Sequence, residues 1–333
     1  MRSANGLSEE YAMRKIAIAL VLAAWVAGLF ASRAEAKKHK GDGQAGAQAF
    51  LGRWDLTITA PDREWPSWIE IAENGGQVSA QFVGRWGNAR PLPKIEIDGK
   101  HVTFVSPKEE EGSKNDLSFE GTLNGKSLEG TATGPNGTPW KWSGVRAPSL
   151  KSTHPLVWGE TIQLFNGQDL SGWKPSRAGG PDWKVEDGVL VKPSNGPELI
   201  SERTFTDFKL HIEFNCGQNA NSGVYLRGRY EVQIETESAG ESAVHHTGAI
   251  YGFIAPTPEL PRTPDVWQVY DITLIGRRVT VVLNGTKIVD DQEIPGITGG
   301  ALNSHEELPG PIYLQGAEVG RVAFRNIVIT PAK

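Results

Sequence analysis

The residues best suited to chemistry lie in one stretch, 221–235, which reads NSGVYLRGRYEVQIE. We predict two short strands joined by a Gly-containing turn, and the side chains of a strand point alternately to its two faces. One face of these strands would carry an aromatic ring, a guanidinium, carboxylates and an amide, which are groups that bind sugars. Alternation places Val224, Leu226, Tyr230, Val232 and Ile234 on one face and Tyr225, Arg227, Glu231, Gln233 and Glu235 on the other. The alternative is an ordinary polar face with a cross-strand Arg–Glu pair.

The elements that must position these residues are strands. Helical periodicity is nearly absent after Lys37, and short alternating runs separated by Gly, Pro and Asn indicate an all-β protein. Residues 48–147 hold about eight strand candidates with short links, which predicts a small antiparallel barrel or sandwich. Residues 148–159 are linker-like. Residues 160–331 hold about twelve strand candidates, which predicts a two-sheet sandwich.

The chain opens with a segment that has the features of an export signal. Arg14 and Lys15 precede sixteen residues without charge, Ile16–Ala31, and Ala34-Glu35-Ala36 has the small-x-small form of a cleavage site. The apolar run is shorter than the ~20 residues that a membrane helix needs. We predict a cleaved signal over residues 1–36, a flexible leader over 37–47, and a periplasmic or extracellular protein with no membrane partner after cleavage. An uncleaved N-terminal anchor is the alternative.

Composition narrows the class of partner. Cleavage removes four of the 34 Lys and Arg and three of the 39 Asp and Glu, leaving a net charge of −6 that argues against nucleic acid. Cys216 is the only cysteine, so the chain can form no internal disulfide and no Cys/His zinc motif. Eleven Trp residues in a β-rich exported protein favour contact with carbohydrate, because indole faces stack on sugar C–H faces.

Residues 160–331 also carry a series of short motifs. They are Leu164-Phe165-Asn166-Gly167, Gly172-Trp173, WKVEDG at 183–188, NSGVYLR at 221–227, YEVQI at 230–234, GAIY at 248–251, Leu314-Gln315 and FRNI at 324–327. Each motif alone is weak, but in this order they are specific. Together they resemble the 3-keto-disaccharide hydrolase family, which has the jelly-roll sandwich of concanavalin-like lectins and glucanases.

The resemblance implies a glycoside-cleaving hydrolase or lyase that acts on saccharides oxidised at C3. A C3 ketone acidifies the C2 proton, a base removes that proton, and the group on C1 leaves before water adds. By hypothesis Glu231 is the base or a metal ligand, and Arg227 stabilises the developing oxyanion. The predicted substrate contacts are Gln233, Tyr251, Gln315, Glu235, and a stacking face from Trp267 or Tyr225.

One departure from the family bears on catalysis. Many members follow Leu-Gln with an Asp-His pair, whereas residues 316–320 here read GAEVG and leave Glu318 as the only substitute. A divalent metal is one option, with Glu231, Glu235 and His245 or His246 as candidate ligands, although their spacing is not a metal motif. For the two His, a solvated loop pair is favoured.

The sequence carries no P-loop and no Gly-x-Gly-x-x-Gly after a strand, so we predict no certain cofactor. The redox step that makes a keto sugar would then belong to a partner oxidoreductase.

Two other functions stay open. Glu231 and Glu235 resemble the paired carboxylates of a retaining β-glucanase, with backbones ~13 Å apart at ~3.3 Å per residue. Retention needs carboxyl groups ~5–5.5 Å apart, which inward-leaning side chains could approach. The third possibility is a non-catalytic carbohydrate-binding protein, which the missing Asp-His pair favours.

Overall fold

The structure is a computed structural model of the chain and describes residues 46–84, 87–134, 136–151, 155–178, 183–192, 196–235, 241–261, 263–316 and 320–333. The predicted signal and most of the predicted leader lie outside the described residues, so export remains a prediction. Across the described ranges, no helix combines the length and the apolar character needed to span a bilayer. By their contacts the described residues separate into two units, 46–50 with 97–100 and 51–96 with 101–333. The features described below belong to the second unit unless stated.

The N-terminal half of the chain builds one curled, antiparallel sheet of nine strands in the order β4-β3-β2-β1-β9-β8-β7-β6-β5. Its strands are β1 Gly52–Thr59, β2 Glu64–Asn74, β3 Gln77–Val83, β4 Arg90–Pro91, β5 Ile95–Asp98, β6 His101–Ser106, β7 Leu117–Asn124, β8 Ser127–Thr133 and β9 Pro139–Arg146. A four-residue helix, Lys108–Glu111, lies between β6 and β7. The last strand, β9, pairs with the first, so two meanders join through β1.

The C-terminal half is a sandwich of two further sheets, and the prediction of an all-β jelly-roll class is confirmed. Its strands are β10 Ile162–Gln163, β11 Trp173–Pro175, β12 Lys184–Glu186, β13 Val189–Lys192, β14 Leu199–Phe205, β15 Phe208–Cys216, β16 Ser222–Leu226, β17 Tyr230–Ile234, β18 Gln268–Ile275, β19 Arg278–Leu283, β20 Thr286–Glu293, β21 Gly310–Leu314 and β22 Val322–Pro331. One sheet runs β12-β13-β22-β15-β18-β19-β20, with β10 also on β22, and the other runs β11-β14-β21-β16-β17. A 3-10 turn spans Ala243–His245.

The core of the sandwich extends into the N-terminal sheet. Alternate side chains of β15, Phe208, Leu210, Ile212 and Phe214, are buried between the two sheets of the sandwich. Trp68 of the N-terminal sheet belongs to the same apolar cluster, and its indole meets the ring of Phe253 edge-on with centroids 5.4 Å apart. Burial of apolar surface is non-directional, so one continuous cluster ties both parts of the chain together.

A buried group of charged side chains lies where β1 meets the sandwich. Asp55 and Glu306 are 2% and 0% exposed, and Arg277 donates to Glu306 at 3.1 Å. The carboxyl oxygens of Asp55 have no N–H or O–H donor among the described residues, and the carboxyl of Glu306 faces them. Two carboxyl groups bond to each other only when one of them carries a proton. Burial, with the nearby charge of Glu306, accordingly raises the pKa of Asp55 to about 9.

This raised pKa makes the stability of the fold depend on pH. An unfolded Asp titrates near ~4, so the protonated Asp55 favours the folded state below that pH. The contribution is lost as the pH rises toward a folded-state pKa of about 9. We expect Asp55→Asn, whose amide can donate to Glu306 at any pH, to gain stability relative to the wild type as the pH rises from 6 to 9. Thermal unfolding across that range measures the difference.

Asp62→Asn, at an exposed aspartate in the turn between β1 and β2, is the matched control. If the difference in unfolding temperature between the wild type and Asp55→Asn stays constant over the whole pH range, Asp55 does not carry the proton in its contact with Glu306.

Candidate functional site

The site is built on the hairpin of β16 and β17. Tyr225 pairs with Glu231 and Gly223 pairs with Gln233 across it, so these four residues share one face. The opposite face carries Val224, Leu226, Tyr230, Val232 and Ile234, all buried in the core of the sandwich. The predicted alternation is therefore confirmed within β16 and β17.

Neighbouring strands extend the face of Glu231 into a surface across the five-stranded sheet. Tyr313 of β21 lies beside Tyr225, and their rings stack with centroids 4.3 Å apart. Gln315 follows two residues later, and its backbone N–H donates to the carbonyl of Gly223 at 3.0 Å. The row thus runs Tyr313, Tyr225, Glu231, with Gln315, Gly223 and Gln233 in the next row.

Glu231 is held in a nearly closed environment. It is 3% exposed, and the hydroxyl of Tyr225 lies 2.8 Å from its Oε2. Any β-carbon at position 223 would collide with its Oε1, so only glycine leaves room for the carboxyl at that position. Burial raises the pKa of Glu231 to about 8; the bond from Tyr225 opposes this rise, and the charge of Glu235 adds to it.

The hydrogen bonds of Tyr225 give an independent indication of the proton on Glu231. The Tyr225 oxygen lies 2.8 Å from Oε2 of Glu231 and 2.9 Å from the carbonyl oxygen of Gly299. A phenol carries one hydrogen and makes a full hydrogen bond with only one of these acceptors at a time. Both contacts are satisfied when Glu231 is protonated, because its O–H can then donate to Tyr225 while Tyr225 donates to Gly299. When Glu231 ionises, Tyr225 turns its hydrogen to the carboxylate.

Five more predicted site residues lie around Glu231. Gln233 donates to Oε2 of Glu235 at 2.8 Å, and the N–H of Tyr251 donates to the carbonyl of Glu231 at 3.1 Å. The charges of Glu231 and Glu235 add to burial in raising the pKa of Tyr251 to about 12. His245 stacks on Tyr251 with ring centroids 5.0 Å apart. Its Nε2 atom is buried and has no hydrogen-bond partner among the described residues, and the same holds for Oε1 of Gln315.

Arg227 does not share the face of Glu231, and its predicted position is wrong. Its backbone has a φ of 52°, in the left-handed region, so it lies in the turn and leaves the alternation of the strand. The guanidinium donates to the Tyr230 hydroxyl at 2.8 Å and to the Gly276 carbonyl at 3.2 Å. Tyr230 belongs to the core face, opposite Glu231. Arg227 therefore supports the interior of the sandwich and cannot reach an oxyanion beside Glu231.

Trp267 also lies apart from the hairpin, so its predicted stacking role there is wrong. Its ring lies under the guanidinium of Arg325 at 4.0 Å, and Arg325 pairs with Glu213 at 2.7 Å. Arg325 and Glu213 belong to β22 and β15 of the eight-stranded sheet. Tyr225, the other predicted stacking residue, is 1% exposed and can orient Glu231 but offers no free ring face.

Among the described residues, the candidate metal ligands do not form a group that could hold a metal ion. His246 pairs with Glu259 at 2.9 Å. Within the described ranges, no three His, Cys, Asp or Glu side chains are grouped to hold a metal ion. Glu318 lies outside the described residues.

Two residues of the site had no signal in the sequence analysis. Thr298, whose Oγ1 accepts from the N–H of Glu231 at 3.0 Å, and Gly299 come from a loop 67 or more positions away in the chain. Tyr313 could have been found, because it alternates with the core residues Ile312 and Leu314.

Comparisons with known proteins show what the chain is similar to. The model of the 3-keto-alpha-glucoside-1,2-lyase-like domain matches residues 160–330, more than half of the chain. Three solved structures from Parabacteroides distasonis ATCC 8503, provisionally described as glycosyl hydrolases, are similar. The first is 28% identical, covers 55% of this chain and 94% of its own, and has a TM-score of 0.44. The second is 21% identical, with coverages of 52% and 94% and a TM-score of 0.42. The third is 24% identical, with coverages of 51% and 98% and a TM-score of 0.41. No curated protein matches.

The family match defines a carbohydrate-active protein. The chain belongs to the 3-keto-alpha-glucoside-1,2-lyase-like domain family.

The hydrogen bond from Tyr225 generates a direct test of the site. Tyr225→Phe removes the donor that stabilises the ionised form of Glu231, so we expect the pKa of Glu231 to rise above its value of about 8. A net hydrogen bond of about 0.5–1.5 kcal/mol corresponds to about 0.4–1 pH unit. Carboxyl ¹³C NMR titration measures it, with the Glu231 signal assigned from its loss in Glu231→Gln.

Tyr313→Phe is the control, since it removes a hydroxyl from the stacked neighbour of Tyr225. An unchanged or lowered midpoint in Tyr225→Phe would refute the assigned bond.

Proposed function

We propose that this protein cleaves glycosidic bonds of 3-keto-glycosides by removing the C2 proton and eliminating the group on C1, followed by hydration. The observation that carries the proposal is Glu231, a buried carboxyl with a pKa of about 8 on the outer face of the five-stranded sheet. A base is most effective when its pKa lies near the working pH, and an ordinary Glu, near ~4, is too weak a base for a C–H proton. Burial supplies the rise in the pKa of Glu231.

The proposed step uses the ionised form of Glu231. The C2–H bond breaks and its proton passes to the carboxylate, a C1–C2 double bond forms, and the C1–O bond breaks. The departing oxygen takes a proton from a second group. In the hydration step the oxygen of water binds C1, Glu231 returns its proton to C2, and the second group recovers a proton from water.

His245 is the second group in this proposal. It stacks on Tyr251, which bonds to the backbone of Glu231, and its charge interacts with that of Glu235. Buried polar atoms are nearly always hydrogen-bonded, so the unpartnered Nε2 of His245 and Oε1 of Gln315 suit a ligand rich in hydroxyls. Because these atoms and Glu231 are buried, a saccharide reaches them only when some of the residues that bury them move.

Two further proposals concern the setting of the reaction. A partner oxidoreductase would supply the C3 ketone, since the elimination needs that ketone and itself transfers no electrons. The predicted signal over residues 1–36 would place the protein in the periplasm or outside the cell.

Glu231→Gln tests the base. We expect release of sugar from a 3-keto-glucoside to fall by about 10²-fold or more, the usual contribution of a positioned base. In the wild type, kcat/KM should rise with pH and level off above about 8, where Glu231 is ionised. Assays use the keto-glucoside, an unmodified β-glucan and buffer alone.

Glu202→Gln, at an exposed glutamate of β14, is the matched control. Release from β-glucan alone would instead support a retaining glucanase, and binding without any release would support a carbohydrate-binding protein.

The proton donor is tested by varying the leaving group. In His245→Gln we expect the loss of activity on a 3-keto-glycoside of an alkyl alcohol to be at least about tenfold larger than the loss on a 3-keto-glycoside of nitrophenol. Nitrophenol departs without needing a proton. His246→Gln is the control, because Nδ1 of His246 is paired with Glu259 while its Nε2, like that of His245, is buried without a partner among the described residues. Equal losses on the two substrates would remove His245 from this role.

A further inference from the structure

Residues Gly296–Gly300 form a segment, here called the strap, that lies between the N-terminal sheet and the site hairpin. The side toward the N-terminal sheet is packed without space for side chains. A β-carbon on Gly296 would collide with the indole Nε1 of Trp68, and one on Gly299 would collide with the carbonyl oxygen of Gly87. Backbone and indole are therefore in direct contact, so the position of the strap follows the position of Trp68.

The other side of the strap contacts the hairpin. Oγ1 of Thr298 accepts from the N–H of Glu231 at 3.0 Å, and the N–H of Thr298 donates to the carbonyl of Arg229 at 2.9 Å. The carbonyl of Gly299 lies 2.9 Å from the Tyr225 hydroxyl. Gly300, with a φ of 78°, passes so close over that hydroxyl that a β-carbon would collide with it. The strap thus fixes the position of the Gly299 carbonyl, one of the two acceptors available to the Tyr225 hydroxyl.

Trp68 itself is rigidly held. Its side chain is 0% exposed, belongs to the core of the sandwich and packs edge-on against Phe253. Its Nε1 has no hydrogen-bond partner in the described part of the chain, so its contact with Gly296 is one of packing. It lies well outside residues 160–330, which the family model matches.

We infer that Trp68 is a positioning residue that holds the strap so that the Gly299 carbonyl competes with Glu231 for the hydrogen of Tyr225. The N-terminal sheet thereby becomes part of the catalytic apparatus. Its importance for turnover rests on the proposed function, whereas its effect on the proton of Glu231 does not.

The direction of the effect follows from this competition. While Gly299 accepts from Tyr225, the protonated form of Glu231 is favoured, because ionisation takes that hydrogen away from the carbonyl. A strap that loosens withdraws the competitor and leaves Tyr225 free for the carboxylate. The other titratable groups that interact with the charge of Glu231 are Glu235, Tyr251 and Tyr313.

The test is a double-mutant cycle of Trp68→Phe and Tyr225→Phe, read by ¹³C NMR titration of the Glu231 carboxyl in the full chain. Trp68→Phe should lower the midpoint by about half a pH unit, the size of one hydrogen bond, whereas Tyr225→Phe should raise it. The double variant should match Tyr225→Phe alone. Thermal unfolding of each variant reports stability separately.

Trp142→Phe is the matched control. Trp142 is a buried tryptophan of the same sheet. Its indole N–H lies 3.1 Å from the carbonyl oxygens of both Glu120 and Thr131, and its ring packs on Phe104 and Phe119. We expect it to lower the unfolding temperature without moving the midpoint. If Trp68→Phe does not fold, Gly296→Ala displaces the strap at the same contact, because its β-carbon would collide with the Trp68 indole. The Glu231 midpoint should then move, and an unchanged midpoint in Gly296→Ala would contradict the inference.

Two results would overturn the inference. One is a midpoint in Trp68→Phe that equals that of the wild type while the unfolding temperature falls. The other is an equal shift in the presence and absence of the Tyr225 hydroxyl, which would mean that water penetration rather than Tyr225 carries the effect. A midpoint that shifts as expected in a protein that never cleaves 3-keto-glycosides would reject the proposed function alone.

Discussion

The burial of one carboxyl group constrains the rest of this site. Moving a carboxylate out of water is costly, so Glu231 keeps its proton to a higher pH than an exposed glutamate does. Three surrounding features keep Glu231 buried. Glycine at 223 makes room for the carboxyl, Tyr225 forms a hydrogen bond with it, and the strap packs over Tyr225. A more open surface would hold the same residues but would leave Glu231 as an ordinary acid.

The two faces of the hairpin divide the tasks of folding and chemistry. One face is apolar and buried against the eight-stranded sheet, which fixes the register of β16 and β17. A slip of one residue would turn Glu231 into the core, so the packing that stabilises the sandwich also specifies the position of the carboxyl. Stability and placement of the site therefore depend on the same apolar contacts.

Sequence reasoning succeeded where a period of two applies and failed where the backbone leaves it. Alternation placed Tyr225, Glu231 and Gln233 correctly, because these residues lie within regular strands. Arg227 lies one residue beyond β16 in a left-handed conformation, and no alternation rule holds there. Trp267 precedes β18 of the other sheet, and a sequence does not reveal which sheet a strand joins. The strap could not be predicted either, since its contacts with residues 68 and 225 are set by packing between distant segments.

The connection between the two halves of the chain is itself fixed in place. Arg277, already bonded to Glu306, also donates to the carbonyl of Pro148, and a β-carbon on Gly276 would collide with the carbonyl of Leu150. Insertions between neighbouring domains are usually tolerated because most such connectors run freely over the surface. Here an added residue near position 148 would pull on the guanidinium that neutralises a buried acid, so natural variation in length should concentrate elsewhere in the chain.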